Sequence, residues 1–308
     1  MESDLIAWLR RRLPPHPLLR LGPGDDAAIL RMAETEECAI TVDLLSDGVD
    51  FRLSEIDPRR AGHKAMAVNL SDLAAMAARP LASVVAVCLP REGGGRLAQS
   101  LVEGMLPLAE RYNLTIAGGD TNSWDGPLVI SITLLGAITP NGPLPRSGAQ
   151  PGDRILVTGA LGGSILGRHL DFEPRVREAM LLNDRYQLHA GIDISDGLSV
   201  DLSHLVEESR CGAVLHTANV PIHPDASILA KQQPEMGTAL DHALGDGEDF
   251  ELLLAVPPAD AKVLLDDQPL DVPLTDIGEF IAERGMWRID AQGERSELSP
   301  RGWQHEFR

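Results

Sequence analysis

The residues best suited to chemistry in this chain are carboxylates, and they recur in one kind of setting. Gly191-Ile-Asp-Ile-Ser-Asp-Gly197 starts as an apolar strand, stops at two carboxylates around a serine, and gives way to leucines at helical spacing from Leu198. Alternation places Asp193 and Ser195 on one face at the strand's carboxyl end, where open α/β sheets gather ligands. Ser195 or Asp196 is also suited to cap the helix that follows. Gly24-Asp25-Asp26, Thr41-Val42-Asp43, Gly118-Gly119-Asp120 and the run Gly245-Asp-Gly-Glu-Asp249 repeat the pattern of acids at predicted strand tips. Asp72 stands three residues after Asn69, hence on the same face of an alanine-rich helix, and is either solvated or offset by a bound partner. Short aspartates from separate elements repel one another unless cations neutralise them. Oxygen-only donors of this kind suit Mg²⁺, which takes one or two carboxylates plus phosphate oxygens and water. Phosphoryl transfer needs that combination: positioning and charge neutralisation, with no covalent nucleophile.

Other chemistries find no support. The chain has no Ser-His-Asp order, His-Glu-x-x-His, paired-cysteine motif or dinucleotide fingerprint. A formal net charge of −19 argues against an extended nucleic-acid surface, which needs a basic stripe. Cys38, Cys88 and Cys211 match no zinc or redox spacing and read as small buried hydrophobes in a reducing compartment. No signal peptide or membrane-spanning run is evident, so a cytoplasmic location is expected. Aromatic residues make up only 4%, which leaves the cores to Leu, Val, Ile and Ala.

The elements that position these acids can be read in order. An N-terminal helix capped by Ser3 carries Leu5, Leu9 and Leu13 on one stripe. The Gly22–Asp26 turn feeds a strand at 27–30, and a second strand covers 38–42. Asp57-Pro58 starts a helix running to about Ala78. A strand at 82–89, a helix at 95–112, and strands at 114–117 and 128–138 complete a mixed sheet with helices on one face. The turn-rich segment from Arg146 to Asp153 marks a boundary between domains at 1–142 and 143–308. In the second, an α/β domain, Gly159-Ala-Leu-Gly-Gly-Ser164 opens a helix and could cradle phosphate, but lacks a P-loop lysine. A short helix at 175–182, the 191–197 strand with its helix, a strand at 248–256 and a helix at 259–265 follow. Arg146 could fork onto a phosphate chain.

Taken together, several stretches resemble the thiamine-monophosphate kinase family of the aminoimidazole-ribonucleotide synthetase superfamily. They are Gly24-Asp-Asp-Ala-Ala28, Asp43-Leu-Leu-Ser-Asp-Gly-Val-Asp-Phe51, the Lys64–Met76 segment, Gly118-Gly-Asp-Thr121, Arg146-Ser-Gly-Ala-Gln-Pro-Gly-Asp153, Asp193-Ile-Ser-Asp-Gly-Leu198 and Gly247-Glu-Asp-Phe-Glu-Leu252. The resemblance covers nearly the whole chain in the family's order. It implies a two-domain aminoimidazole-ribonucleotide synthetase-like fold: an N-terminal metal-binding, nucleotide-binding and dimerisation domain, and a C-terminal α/β domain that completes the site. It further implies direct transfer of the ATP γ-phosphoryl group to thiamine monophosphate, several Mg²⁺ ions, and a homodimer. By position, Asp26, Thr41, Val42 (through its carbonyl), Asp43, Asp72, Asp120, Asp193 and Asp196 match metal-binding residues. Gly119, Asp120, Arg146 and Ser195 match nucleotide contacts, and Asp50, Glu248 and Trp303 match substrate contacts.

Two departures bear on the acceptor. Asp50 stands where the family's Gly-Val-His-Phe carries histidine, and a helical stretch between Gly167 and Arg168 is shortened. These leave two other readings: an ATP-dependent kinase or synthetase of the same superfamily with another small acceptor, and a non-catalytic nucleotide or thiamine-phosphate binding protein. Retention of so many acids weighs against the latter.

Overall fold

The computed structural model describes residues 8, 11–21, 29–30 and 38–303. Asp26, the Ser3 cap and the Gly22–Asp26 turn lie outside the described residues. The chain divides into two compact units, residues 1–73 with 78–140, and 74–77 with 141–308.

In the first unit a two-stranded ribbon, β1 (Leu19–Leu21) and β2 (Ile29–Leu30), precedes a four-stranded sheet. Its strands are β3 (Cys38–Ser46), β4 (Arg79–Pro90), β5 (Thr115–Trp124) and β6 (Val129–Ala137), in the order β3-β6-β4-β5. Only β4 and β5 run parallel, joined through helix α2 (Gly94–Arg111); the other pairings are antiparallel. Helix α1 (Pro58–Ala75) supplies the second cover. Strict alternation along β6 buries Ile130, Ile132 and Leu134 completely, while Val129, Ser131, Thr133 and Leu135 on the other face stay half-exposed. Asp57 accepts a hydrogen bond from Arg59 N at the start of α1, as a cap before proline should. The helix stops at Ala75 rather than Ala78, because Ala77 turns left-handed (φ 51°) and Ala78 N returns to Leu73 O.

The two helices cross where glycines remove side chains. A Cβ on Gly62 would lie 2.1 Å from Leu101 O, and one on Gly104 would lie 1.9 Å from Arg59 O. Gly104→Ala therefore forces the helix axes apart, and we expect it to destabilise the fold by about 1–3 kcal/mol, read as a lower urea midpoint at unchanged slope.

The second unit is built on a seven-stranded sheet of β7 (Arg154–Thr158), β8 (Ala190–Asp193), β9 (Gly212–His216), β10 (Leu252–Val256), β11 (Leu274–Ile281), β12 (Gly285–Ile289) and β13 (Arg295–Glu297). Their order is β13-β12-β9-β11-β7-β10-β8, and only β9 and β12 are parallel. The helices are α3 (Arg168–Asp171), α4 (Val176–Arg185), α5 (Leu198–Ser209), α6 (Pro224–Gln232), α7 (Ala239–Gly245) and α8 (Pro258–Asp267). The core joins Ile155, Val157, Ile192, Leu198, Leu202, Leu253, Ile277 and Phe280, all close to fully buried. Cys211 belongs to it, whereas Cys38 and Cys88 are only half-buried, contrary to expectation. No helix among the described residues is long and apolar enough to cross a membrane.

Several expected boundaries move. Strand β3 continues through Asp43 to Ser46, and β5 continues through Asp120 to Trp124, so neither acid sits at a strand tip. Strand β10 begins at Leu252, not Glu248, because Glu248 (φ 63°) and Phe250 (φ 52°) are left-handed. The glycine turn at 159–163 opens only a 3-10 turn, Ser164–Leu166.

Candidate active site

In the first unit, α1 and β3 bring part of the expected set together. Thr41 and Asp43 lie on the helix-covered face of β3, in register with Leu134 and Ile132. Thr41 Oγ1 donates to the Asp72 carboxylate. Asp43 N donates to Asn69 Oδ1 (3.2 Å), and Asn69 Nδ2 donates to Ala65 O (3.0 Å). Asn69 is fully buried, so its amide fixes the β3 backbone against the helix. Its role went unassigned from sequence, although its shared face with Asp72 was the available signal. Val42 points its side chain to the opposite, uncovered face and has only its backbone to offer as a ligand.

Asp120 does not join this group within one sheet. Strands β3 and β5 are the two edges, three inter-strand steps or about 14 Å apart. Asp120 pairs with exposed Ala86, which places it on the uncovered face, opposite to Thr41 and Asp43. Gly119 is required by packing: a Cβ there would lie 1.7 Å from Val85 O. The carboxylate of Asp50 is drawn into its own turn, accepting from Ser46 N (2.6 Å), while Lys64 Nζ, almost wholly buried, donates to Asp50 O (2.7 Å).

In the second unit most of the expected residues converge, and Arg146 does not join them. Asp193, buried, ends β8. Beyond it Ile194 N donates to Glu251 O and Phe250 N to Ile194 O (both 2.8 Å). Ser195 O accepts from Glu248 N (2.7 Å), and Asp196 O accepts from Trp303 N (3.0 Å). Ser195, Asp196, Glu248 and Trp303 thus share one backbone cluster, tightened at Gly247 and Gly302, whose added Cβ atoms would lie 2.4 Å from Ser195 O and 2.1 Å from Asp196 O. Ser199 Oγ strengthens it by exchanging hydrogen bonds with Arg301 N and O.

Neither Ser195 nor Asp196 caps the next helix through its side chain. Gly197 (φ 119°) is the cap of α5, and the carboxylate of Asp201, inside the first turn, reaches back to Asp196 N (3.1 Å) and Gly197 N (3.0 Å). An acid in the first helical turn was the sequence signal for Asp201. Burial first, then Asp193 and Asp196, push its carboxyl up to about 8 against the pull of those two N–H groups. Ligand atoms of Asp196, Asp201 and His204 all lie within 4.8 Å of one another. Crowded acids whose repulsion disfavours ionisation are the setting a divalent cation relieves, and the carboxylates here fit Mg²⁺.

The glycine turn does not present a phosphate cradle at its two central amides. Gly162 N donates to both Asp249 oxygens (3.0 and 2.8 Å) and Gly163 N to Asp246 (2.9 Å). Arg146 is exposed on a loop whose backbone is tied to α5: Ser209 Oγ accepts from Gly148 N and Ala149 N and donates to Arg146 O. No sequence pattern pointed to Ser209.

Comparison with known proteins places these features in a class. Residues 24–138 match the model of the AIR synthase related protein, N-terminal domain. Over 99% of this chain and 97% of its own length, the thiamine-monophosphate kinase of Rhodopirellula baltica is 42% identical. The crystal structure of thiamine-monophosphate kinase from Stenotrophomonas maltophilia K279a superposes with a TM-score of 0.79 at 33% identity, covering 94% of this chain and 96% of that one. The AaThiL complex with AMPPCP and TMP gives a TM-score of 0.76 at 25% identity over 87% of each chain. The chain belongs to the thiamine-monophosphate kinase family.

Proposed function

We infer that this protein phosphorylates thiamine monophosphate at the expense of ATP, yielding thiamine diphosphate and ADP. The observation that carries the reading is 42% identity over 99% of this chain to a thiamine-monophosphate kinase. Mg²⁺, when bound, would neutralise phosphate charge and align the phosphate oxygens. Thr41, Asp43 and Asp72 are the first unit's proposed holders, with Asp120 and, by resemblance, Asp26 and the Val42 carbonyl. Asp193 and Asp196 are the second unit's. Arg146 and Ser195 orient the nucleotide, with Gly119 allowing close backbone approach. Glu248 and Trp303 face the acceptor, Trp303 offering an exposed aromatic surface to the thiamine rings. Asp50 shapes its turn more than it contacts substrate, since its carboxylate is already engaged. No side chain is asked to become covalently phosphorylated. A cytoplasmic location fits three unpaired thiols.

The test is direct: purified protein with ATP, Mg²⁺ and thiamine monophosphate, separated by chromatography for thiamine diphosphate and ADP. ADP formed only with another acceptor would overturn the substrate assignment, and tight binding without turnover would overturn catalysis.

The reading includes a homodimer. Ile40, Val42 and Leu44, each at least 60% exposed, line the uncovered face of β3, and Val84 extends the apolar surface on β4. The separation of Asp120 from Asp43 and Asp72 supports the same conclusion, because a second copy could supply the missing acid. Asp72→Asn and Asp120→Asn should each be inactive alone. Coexpressed, a two-fold dimer with shared sites should recover about a quarter of wild-type activity; absence of recovery would mean each copy works with its own acids.

A further inference from the structure

We propose that Arg168, Phe172 and Arg175 are positioning residues that hold Glu248 against Ser195, and so set the acceptor side of the site; the consequence for the acceptor rests on the function inferred above. Three consecutive residues after Glu248 engage this one short segment. Arg168 Nη2 donates to Asp249 Oδ1 (2.9 Å), whose side chain is 1% exposed. Phe172 stacks on Phe250, with ring centroids 4.0 Å apart and planes 11° from parallel. Arg175 forks onto Glu251 through Nε (2.7 Å) and Nη2 (2.6 Å), and Thr158 Oγ1 donates to the same carboxylate (2.6 Å).

The order of contacts matches along both segments: 168 to 249, 172 to 250, 175 to 251. Such a three-point grip accounts for a backbone that the local sequence disfavours, since Glu248 and Phe250 are both left-handed without being glycine. The gripped segment continues into backbone bonds from Phe250 N to Ile194 O and from Glu248 N to Ser195 O. Holding 249–251 therefore fixes where Glu248 meets the loop after β8. Asp249 is further tied to Gly162 N, which makes its carboxylate the junction between the clamp and the glycine turn.

Amide exchange and kinetics test this together. In Arg168→Gln and Phe172→Leu, the Glu248 and Phe250 amides should exchange at least about tenfold faster than in the wild type, with Leu253 and Leu254 in β10 unchanged. Arg168→Lys should restore most of the protection. In both variants KM for thiamine monophosphate should rise about tenfold while KM for ATP stays within about twofold. Adding Arg168→Gln to Glu248→Ala should raise that KM no further, because both changes act through one residue. Unchanged exchange, loss of protection spread through the whole unit, or equal shifts in both KM values would overturn the proposal. A wild-type protein that makes no thiamine diphosphate would remove the substrate reading, and the exchange comparison alone would then decide the clamp.

Discussion

Asp72→Asn is expected to lower kcat by more than about 100-fold with little loss of stability. The expectation follows from the chemistry of the position. Asp72 is the one acid in an alanine-rich helix, half-buried, and its carboxylate accepts from Thr41 Oγ1. An asparagine keeps an oxygen for that hydroxyl, so the fold loses at most about 1 kcal/mol. What disappears is the negative charge, and with it, on the function proposed above, a hard anionic ligand for Mg²⁺. Turnover measured against Mg²⁺ concentration, beside a urea titration, separates the two effects. A variant with full turnover would remove Asp72 from the metal site. Thr41→Val, which deletes only the hydroxyl donor, should cost less.

The second large effect concerns stability. Arg175→Met is expected to destabilise the protein by about 3–5 kcal/mol, because it strands the Glu251 carboxylate in the interior. That carboxylate is 5% exposed, and among the described residues Thr158 Oγ1 would be its remaining side-chain donor. Burial also opposes the charge on Arg175, although its bidentate bond to Glu251 and the surrounding carboxylates win and raise its pKa. The double variant Arg175→Met with Glu251→Leu removes both charges, leaves no buried ion unpaired, and should be more stable than Arg175→Met alone. Urea midpoints of the three proteins decide the matter. A double variant as unstable as the sum of its parts would show that the cost lies in packing rather than in stranded charge.

These cases mark where sequence carried information and where it did not. Asp193 was placed correctly at a strand end because alternation and an apolar run are local signals. Asp43 and Asp120 were placed at tips because acids are poor strand residues. In the fold they lie within edge strands, where, among the described residues, one side of the ladder has no neighbour to exclude them. The left-handed turns at Glu248 and Phe250 had no local signature, since neither residue favours that conformation; the ion pairs and ring stack that impose it come from about 80 residues earlier in the chain. Helix α7 went unread for a similar reason: at seven residues it is too short for a periodic signal. The reversed cap at α5 could have been legible, because Asp201 follows Gly197 by four residues and an acid in a first turn has few better partners than the amides behind it.

The buried Lys64 has a practical consequence. Lys231 and Lys262 are exposed, whereas the Lys64 ammonium is enclosed beneath the Asp50 turn. An amine-directed label applied to the native protein will mark the two exposed side chains and spare the third. Acylation at Lys64 then becomes a built-in record of how often α1 and the turn beneath β3 part company, read by mass spectrometry without altering a single residue.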